Sequence, residues 1–367
     1  MAVQFGSYLT IVIFRGFHHE PPLPGPLLVL VYTWHVFVLP LWLAIWTSSL
    51  AMPRLVSFVA RRVRRLPNPT AQVPESGRDA CATGSAAPSR RDLIRAGVTA
   101  IPPVAGVFTA AYALRQQELF EVIKLDVPVA GLPDELDGLR IAHVSDPHVG
   151  KFTSSAKLRE ITQAVNDLNV DLVAVTGDLI DHWMGVLDDG IALVRSFRSR
   201  NGTFLCEGNH DLMEDHDGFE SLVRKAGLRL LLNESAMLQI RGRKVQMLGI
   251  RWGRRKNLDA MYAEHFAATL PLRDPAAFPI LIAHHPHTFD PAAEAGLPLV
   301  LCGHTHGGQI MLTRSIGPAR ILYKYLSGLY RRDGTSLVVS NGVGNWFPLR
   351  INAPAQLAEL TLRRASA

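Results

Sequence analysis

Cysteine is scarce in this 367-residue chain, and its three cysteines, Cys81, Cys206 and Cys302, form no CxxC pair. So few cysteines exclude a disulfide framework and a cysteine-based metal site. Cys206 and Cys302 each end an apolar run, which is typical of small buried core residues. The sequence also lacks an internal repeat, so a solenoid or propeller is excluded.

Residues 96–367 lack an excess of positive charge, although the whole chain has a net charge of +6. Residues 1–95 hold ten arginines and four acidic residues, which accounts for the entire excess and leaves 28 basic and 28 acidic residues in the rest. A nucleic-acid partner needs a basic surface on the binding domain. The sequence therefore predicts no nucleic-acid partner for the later part of the chain.

Residues 21–53 contain no Asp, Glu, Lys or Arg and include the run LLVLVYTWHVFVLPLWLAIW. A helix needs about 20 apolar residues to cross a bilayer. We therefore expect an N-terminal segment, residues 1–53, with one transmembrane helix that is kinked at Pro40. The stretch is too short for two full spans.

Residues 96–114 form a second uncharged stretch, which is less apolar and is interrupted by Pro102 and Pro103. It fits either a second transmembrane helix or a packed helix beside the membrane. The preceding Ser89-Arg90-Arg91-Asp92-Leu93-Ile94 and the following Ala111-Tyr112-Ala113 also resemble an export signal with a cleavage pattern. A pair of arginines beside a membrane helix is equally common by the positive-inside rule, so these interpretations stay open.

Residues 54–95 carry nine arginines against three acidic residues and are rich in Pro, Ser, Gly and Ala. This composition predicts a disordered basic loop on the cytoplasmic side of the membrane. The domain that follows would then lie on the extracytoplasmic side of the cytoplasmic membrane.

From residue 120 onward, short apolar runs alternate with helix-like stretches, which indicates an α/β domain over residues 120–367. The predicted helices cover residues 155–168, 190–198 and 218–226, and the predicted strands cover residues 139–144, 172–175, 204–206, 245–250, 280–283, 298–301 and 337–339. Five polar motifs each follow one of these strands. Because ligands gather at the carboxyl ends of strands in such sheets, the motifs can meet in one crevice.

The first two motifs offer metal ligands. Asp146 and His148 lie two apart on extended backbone and can point to the same side, which suits two ligands of one metal. Asp178 follows Gly177, which permits a close approach, and its two carboxylate oxygens can bridge a pair of cations.

The later motifs complete the set. Asn209 offers a neutral oxygen ligand, and His210 offers an imidazole for proton transfer with the carboxylate of Asp211 beside it. His284 adds an imidazole, and His304 and His306 repeat the two-apart spacing, so that each can serve one member of a metal pair. Each motif alone is a weak signal. Together, in this order and each after a strand, the motifs are a strong signal for a functional site.

The ordered motifs DxH, GD, GNHD, a lone His and GHxH resemble the calcineurin-like metallophosphoesterase superfamily, over residues 139–362. The run Gly303-His-Thr-His-Gly-Gly-Gln309 and the preceding AHHP are similar to its membrane-tethered YkuE and YaeI branch. The resemblance implies a four-layer α/β/β/α sandwich and hydrolysis by a hydroxide that bridges two metals, with no phosphoenzyme.

The resemblance also implies the role of each ligand. Asp146, His148, Asp178 and His306 would hold one metal, whereas Asp178, Asn209, His284 and His304 would hold the other. His210 would donate a proton to the leaving group or stabilise the transition state, with Asp211 as its orienting partner. Mixed nitrogen and oxygen ligands favour Mn, Fe or Zn as the two divalent ions.

Two positions near the motifs leave alternatives open. Arg251 stands where the branch commonly has an acidic pair, and it fits either a contact to substrate phosphate or a surface salt bridge. His285 adjoins His284, and His284 is chosen as the ligand because the family places its ligand directly after the small residue.

The sequence thus predicts a membrane-anchored phosphoesterase that hydrolyses phosphodiester or pyrophosphate bonds in membrane lipids or lipid-linked phosphates. The resemblance adds UDP-2,3-diacylglucosamine as a candidate, although this substrate arises in the cytoplasm, against the predicted orientation. A phosphomonoesterase or nuclease of the same fold is an alternative, and a protein phosphatase is disfavoured because that branch reads GNHE. A non-catalytic, metal-dependent membrane-binding module is the alternative of another class. The oligomeric state is not predicted.

Overall fold

The structure is a computed structural model that describes residues 31–39, 90–252 and 258–365. The chain divides into two compact units, one within Leu30–Ala111 and the other within Tyr112–Ala367. The first unit contains the π-helical stretch Trp34–Val38 and most of helix α1, Arg90–Gln117. Most of the predicted transmembrane segment and of the basic loop lies outside the described residues, and α1 contains the second uncharged stretch. None of the helices within the described ranges has the length and apolarity that a membrane span requires.

The second unit contains two mixed six-stranded sheets. Their strands are β1 Phe120–Val129, β2 Arg140–Val144, β3 Leu172–Thr176, β4 Thr203–Cys206, β5 Arg229–Leu230, β6 Glu234–Ile240, β7 Arg243–Gly249, β8 Phe278–Ile282, β9 Leu299–Cys302, β10 Gly328–Arg332, β11 Thr335–Val339 and β12 Ala355–Arg364. The first sheet has the order β1-β12-β2-β3-β4-β5, and the second has the order β10-β11-β9-β8-β7-β6. In the first sheet β12 is antiparallel to β2, and in the second β10 and β6 are antiparallel to their neighbours.

Six further helices follow α1. They are α2 Ser155–Asp167, α3 Leu187–Ser196, α4 His216–Lys225, α5 Leu258–Thr269, α6 Phe289–Glu294 and α7 Ala319–Leu322. Two of them begin at side-chain caps that satisfy a free N–H of the first turn. The side chain of Ser154 accepts from the N–H of Lys157 at α2, and that of Asp215 accepts from the N–H of Gly218 at α4. Short 3-10 turns cover Asp134–Leu136, Met184–Val186, His210–Leu212, Leu270–Leu272, Pro286–Thr288 and His306–Gly308.

Three apolar clusters hold the sheets and helices together in layers. The largest lies between the sheets and joins side chains such as Ile141 and Phe204 of the first sheet to Met247 and Ile280 of the second. A second cluster packs α2, α3 and α4 against the first sheet, and a third packs α5 and α6 against the second sheet. The central strands β2, β3, β8 and β9 are almost entirely buried because helices or the other sheet cover both faces.

The predicted α/β fold is confirmed, and every strand and helix predicted within residues 120–367 has a counterpart in the structure. Strands β2, β3, β4, β8 and β9 all end at one edge of the double sheet, and each is followed by one of the five motifs. Because the two sheets face each other across a shared core, side chains from both reach one crevice at this edge.

Candidate metal centre

The loops after the five strands hold their polar residues on unusual backbone. Asp146, His148, Asp178, His304 and His306 all have φ between 42° and 70°, the left-handed region that non-glycine residues seldom adopt. Backbone hydrogen bonds fix two of these turns, since the N–H of Asp146 donates to Gly177 O at 3.1 Å and that of His148 donates to Asp178 O at 3.0 Å. Strain of this kind is typical of functional sites, where it aims side chains at a ligand.

The first group of donors comprises Asp146, His148 and His306, all buried. His148 Nε2 and His306 Nε2 lie 3.0 Å apart, and His306 Nε2 lies 3.2 Å from Asp146 Oδ1. Ligand atoms that converge this closely surround a single point, which suits one cation. Both Asp146 and His148 follow β2, whereas His306 follows β9, so the group joins the two sheets.

The second group comprises Asp178, Asn209, His284 and His304. Asn209 Oδ1 lies 3.0 Å from His304 Nδ1 and 3.2 Å from His284 Nε2, and these two ring nitrogens lie 3.1 Å apart. His284 Nδ1 contacts the carbonyl oxygen of Thr176 at 2.8 Å, which turns Nε2 toward the group. This arrangement supports His284 rather than His285 as the donor, because His285 Nδ1 instead accepts the N–H of His287.

Asp178 links the two groups. Its Oδ2 lies 3.5 Å from His148 Nε2 and 3.2 Å from His284 Nε2. Its Oδ1 accepts the backbone N–H of His210 at 2.8 Å. One carboxylate oxygen is thus within reach of donors from both groups, as a bridging ligand requires.

The charge state of the donors suits cation binding. Burial lowers the pKa of His148 and of His304 to about 3, so both rings are neutral ligands near pH 7. Burial alone would raise the pKa of Asp146, but the neighbouring His306 outweighs it and holds this carboxyl ionised. Burial disfavours the charged ring of His284, but Asp178 outweighs it and raises the pKa of His284 to about 9, so this ring must release its proton when a cation binds. Buried carboxylates and imidazoles of this kind fit divalent cations.

His210 lies beside the first group, with its ring centroid 4.6 Å from that of His148. Its Nδ1 contacts the backbone carbonyl oxygen of Asp181 and lies 3.5 Å from Asp181 Oδ1. Burial disfavours the charged ring, but Asp178 and Asp181 outweigh it and raise the pKa of His210 to about 9.

The prediction that Asp211 orients His210 is wrong. The Asp211 carboxylate turns back into the loop and accepts the N–H groups of Gly208 at 2.8 Å and Ile180 at 3.1 Å. It therefore ties the loop after β4 to the loop after β3. Burial, followed by the nearby Asp178, raises its pKa to about 8. The residue that holds the His210 ring is Asp181.

Of the two interpretations of Arg251, the structure supports the salt bridge and not the contact with a substrate phosphate. Arg251 Nη2 donates to Glu220 at 3.0 Å, and Nη1 lies 3.1 Å from His216 Nε2. The salt bridge, the alternative interpretation of this position, is therefore the observed one. The next residue, Trp252, lies at the second group, with its ring centroid 5.3 Å from that of His284 and 5.4 Å from that of His304.

Sequence reasoning missed two residues of the centre. Asp181 had a signal, since it is a second carboxylate three residues after Asp178 in the same loop. Arg350 had none, because it follows His306 by 44 residues and belongs to no motif. It is fully buried, its Nη2 lies 3.1 Å from His306 Nδ1, and its other donors bond Asn345 and backbone carbonyl groups. Arg350 thus borders the His306 ring on the side of Nδ1, opposite the Nε2 atom that faces the first group.

Two buried donor groups, joined by a shared carboxylate at the strand ends of a double mixed sheet, define the class of metal-dependent phosphoesterases. The profile described as calcineurin-like phosphoesterase matches residues 139–308. The chain therefore carries a calcineurin-like metallophosphoesterase domain, and the resemblance stated from the motifs is confirmed.

The chain is similar to metallophosphoesterases from a vertebrate and from bacteria. The chain is 28% identical over 311 residues to a transmembrane protein with metallophosphoesterase domain from Danio rerio, covering 79% of this chain and 66% of the relative. It is 27% identical to metallophosphoesterase YkuE of Bacillus subtilis, covering 75% and 98%. It is 24% identical to phosphodiesterase YaeI of Escherichia coli, covering 75% and 99%. The match spans just under two thirds of the zebrafish relative's length.

Proposed function

We propose that this protein is a membrane-anchored phosphodiesterase that uses two divalent cations to hydrolyse phosphodiester or pyrophosphate bonds in lipid-linked substrates. The observation that carries the proposal is the pair of donor groups that share Asp178. A single structural cation would need one group only. Two adjacent groups of mixed nitrogen and oxygen ligands are the arrangement that phosphate-transferring sites use.

Asp146, His148 and His306 would hold one cation, Asn209, His284 and His304 the other, and Asp178 would contact both. Bound there, the cations would supply Lewis-acid stabilisation of the phosphate and ready deprotonation of a water molecule. Mn, Fe and Zn suit these ligands best.

His210 has the position of a proton donor to the leaving oxygen. Its ring lies against His148 at the edge of the donor groups, and its side chain is 14% exposed, so a substrate can reach it. Asp181 holds Nδ1, which leaves Nε2 for the substrate. Trp346, with its ring centroid 5.8 Å from that of His210, limits the freedom of the ring on another side.

Two observations support a membrane anchor. Residues 21–53 are uncharged and long enough for a span, and the zebrafish relative is named a transmembrane protein. The nine arginines of residues 54–95 favour a cytoplasmic position for that loop, so the catalytic domain is proposed to lie on the extracytoplasmic side. Confinement at a bilayer favours substrates of the phospholipid or UDP-2,3-diacylglucosamine type.

The test is hydrolysis of bis-p-nitrophenyl phosphate by the full chain in detergent, stripped with a chelator and reloaded with Mn, Fe or Zn. The wild type should hydrolyse the diester only with metal, Asp178→Asn should lose the activity, and His210→Ala should lose about 10²- to 10⁴-fold in kcat. Asp217→Asn is the matched control, because the Asp217 side chain is 92% exposed, and it should keep the wild-type rate.

Absence of turnover with every metal would contradict the proposal and favour a binding module. The substrate class needs a second measurement, in which mass spectrometry follows the products from UDP-2,3-diacylglucosamine, phospholipid and DNA. Cleavage of DNA alone would reject the lipid-linked class.

A further inference from the structure

A short surface segment beside the metal centre exposes apolar side chains to an unusual degree. Leu312, Ile316, Ile321 and Leu322 are 76%, 59%, 89% and 77% exposed. Among the other described residues from Tyr112 onward, no large apolar side chain exceeds the 48% of Trp183. Contiguous exposed apolar residues on a folded domain mark a surface that another body covers.

The segment has a defined fold, and this fold holds the apolar side chains in their exposed positions. Met311 and Ala319 turn inward and pack with Leu326 and Ala353 in a small core. The N–H of Leu312 donates to the carbonyl oxygen of Ile316 at 2.8 Å, and the α7 turn that follows brings Ile321 and Leu322 outward. The inward residues therefore fix the outward direction of the exposed ones.

The segment adjoins the entrance to the donor groups. The segment, residues 311–325, follows the turn His306–Gly308 after two residues, and it contains Tyr323, whose ring centroid lies 6.0 Å from that of His304. Whatever covers Ile321 and Leu322 must therefore lie next to the second donor group.

The charged residues around the segment indicate which kind of surface covers it. Residues 310–332 contain five cationic residues, Arg314, Arg320, Lys324, Arg331 and Arg332, and no acidic residue. Three of them pair with acidic residues outside this range, Arg314 with Glu121 and both Lys324 and Arg332 with Asp290. Arg320 and Arg331 are exposed and have no acidic partner among the described residues. Tyr323, Tyr325 and Tyr330 lie among them. Protruding aliphatic side chains beside exposed arginines are the composition of surfaces that rest on anionic lipid. A flat apolar surface without this charge would instead suit a protein partner.

We propose that residues 311–325 form a docking loop that seats its apolar side chains in an anionic lipid surface and so presents the metal centre to the headgroups. This inference rests on the proposed function, because it supplies the route by which a lipid-linked phosphate reaches the donor groups. It adds a second contact with the bilayer, separate from the uncharged stretch of residues 21–53.

The experiment places a fluorophore on the loop of the full chain. Cys81→Ser removes one native thiol, and Cys206 and Cys302 are only 3% and 0% exposed, so an introduced cysteine can be labelled selectively. Ile321→Cys carries the polarity-sensitive label NBD. Leu272→Cys is the matched control, because Leu272 is 41% exposed and precedes the amino end of β8, away from the donor groups. Both proteins are reconstituted in vesicles of phosphatidylcholine with or without phosphatidylglycerol.

The docking loop predicts that emission from position 321 shifts to shorter wavelength in phosphatidylglycerol vesicles and is quenched by doxyl-labelled lipid. Position 272 should keep its aqueous emission. Aqueous emission from position 321 in both kinds of vesicle would overturn the inference. A short-wavelength emission without doxyl quenching would also overturn it and would indicate a contact with protein, including a second copy of the chain.

The same samples separate this inference from the proposed function. Hydrolysis of bis-p-nitrophenyl phosphate is measured with the Leu272→Cys protein, because position 272 lies away from both the loop and the donor groups, and it should equal that of the wild type. Hydrolysis without lipid contact would reject the docking loop alone, whereas lipid contact without metal-dependent hydrolysis would reject the phosphodiesterase alone.

Discussion

At the residue scale, the donors of the metal centre are held in place by backbone that few residues tolerate. Five of the seven have positive φ values, and each such residue costs on the order of 1–3 kcal/mol. The loops stay in this conformation because backbone hydrogen bonds and buried side chains such as Arg350 surround them. The result is a site in which neighbouring ligand atoms of the two groups already lie 3.0–3.8 Å apart.

Asp181 offers a sharp test at this scale, since it contacts the His210 ring but is not one of the seven donors of the first and second groups. Asp181→Asn should lower kcat for bis-p-nitrophenyl phosphate by roughly 10- to 100-fold, the usual effect of removing the partner of a functional imidazole. KM should change little, because the cations hold the phosphate. Steady-state kinetics with metal analysis of the same sample makes the measurement.

The control for this prediction is Asp189→Asn, because Asp189 is exposed in the first turn of α3. It should leave both kcat and KM unchanged. A wild-type kcat in Asp181→Asn would show that the backbone carbonyl of residue 181 is enough to hold His210.

The donor residues were predictable because their types, order and spacing follow from the chemistry of a metal pair. The contact of Asp181 with His210 was not, since these two residues are 29 positions apart in sequence, whereas Asp211 directly follows His210. The direction of the 3-10 turn His210–Leu212 decides the partner of His210 by sending the Asp211 carboxylate back to the N–H groups of Gly208 and Ile180. Arg350 depends on the tertiary fold alone.

At the element scale, the strands that carry the motifs were predictable because they are continuous apolar runs buried on both faces. The edge strands were not. The strand β1 alternates partly buried and exposed residues, and its place is set by parallel pairing with β12, more than 200 residues later. Pairing at such a distance leaves no local signal. The helix α5 was also missed, because its apolar residues lack a clear one-sided period.

The closeness of the strand ends gives a prediction at this scale. A Cβ on Gly303 would overlap the Ser145 hydroxyl and the Asp146 carboxylate, so the loops after β2 and β9 approach each other only through a glycine. Gly303→Ala should therefore reduce the metal content and abolish diester hydrolysis, while the circular dichroism spectrum keeps its α/β shape.

Gly97→Ala is the matched control, because nothing lies within 4 Å of a Cβ at Gly97 in α1. It should keep full activity. Full metal content in Gly303→Ala would mean that the two loops can separate without loss of the site, against the account of their packing.

At the scale of the whole molecule, the centre exists only where the two sheets meet. The first donor group takes Asp146 and His148 from the first sheet and His306 from the second, and the second group is divided in the same way. Folding of the double sheet and assembly of the site are therefore one event. The sequence could predict this convergence from the general position of ligands in α/β sheets, but not the distances. The membrane segment stays a prediction for residues 21–53.

The central claim is that this chain holds two divalent cations on donors shared through Asp178. The most direct measurement is the metal content of the full chain in detergent, determined by plasma mass spectrometry after equilibration with Mn, Fe or Zn. We predict two ions per wild-type chain with at least one of these metals and fewer than two in Asp178→Asn, with Asp217→Asn equal to the wild type. One ion or none in the wild type with all three metals, or two in Asp178→Asn, would contradict it.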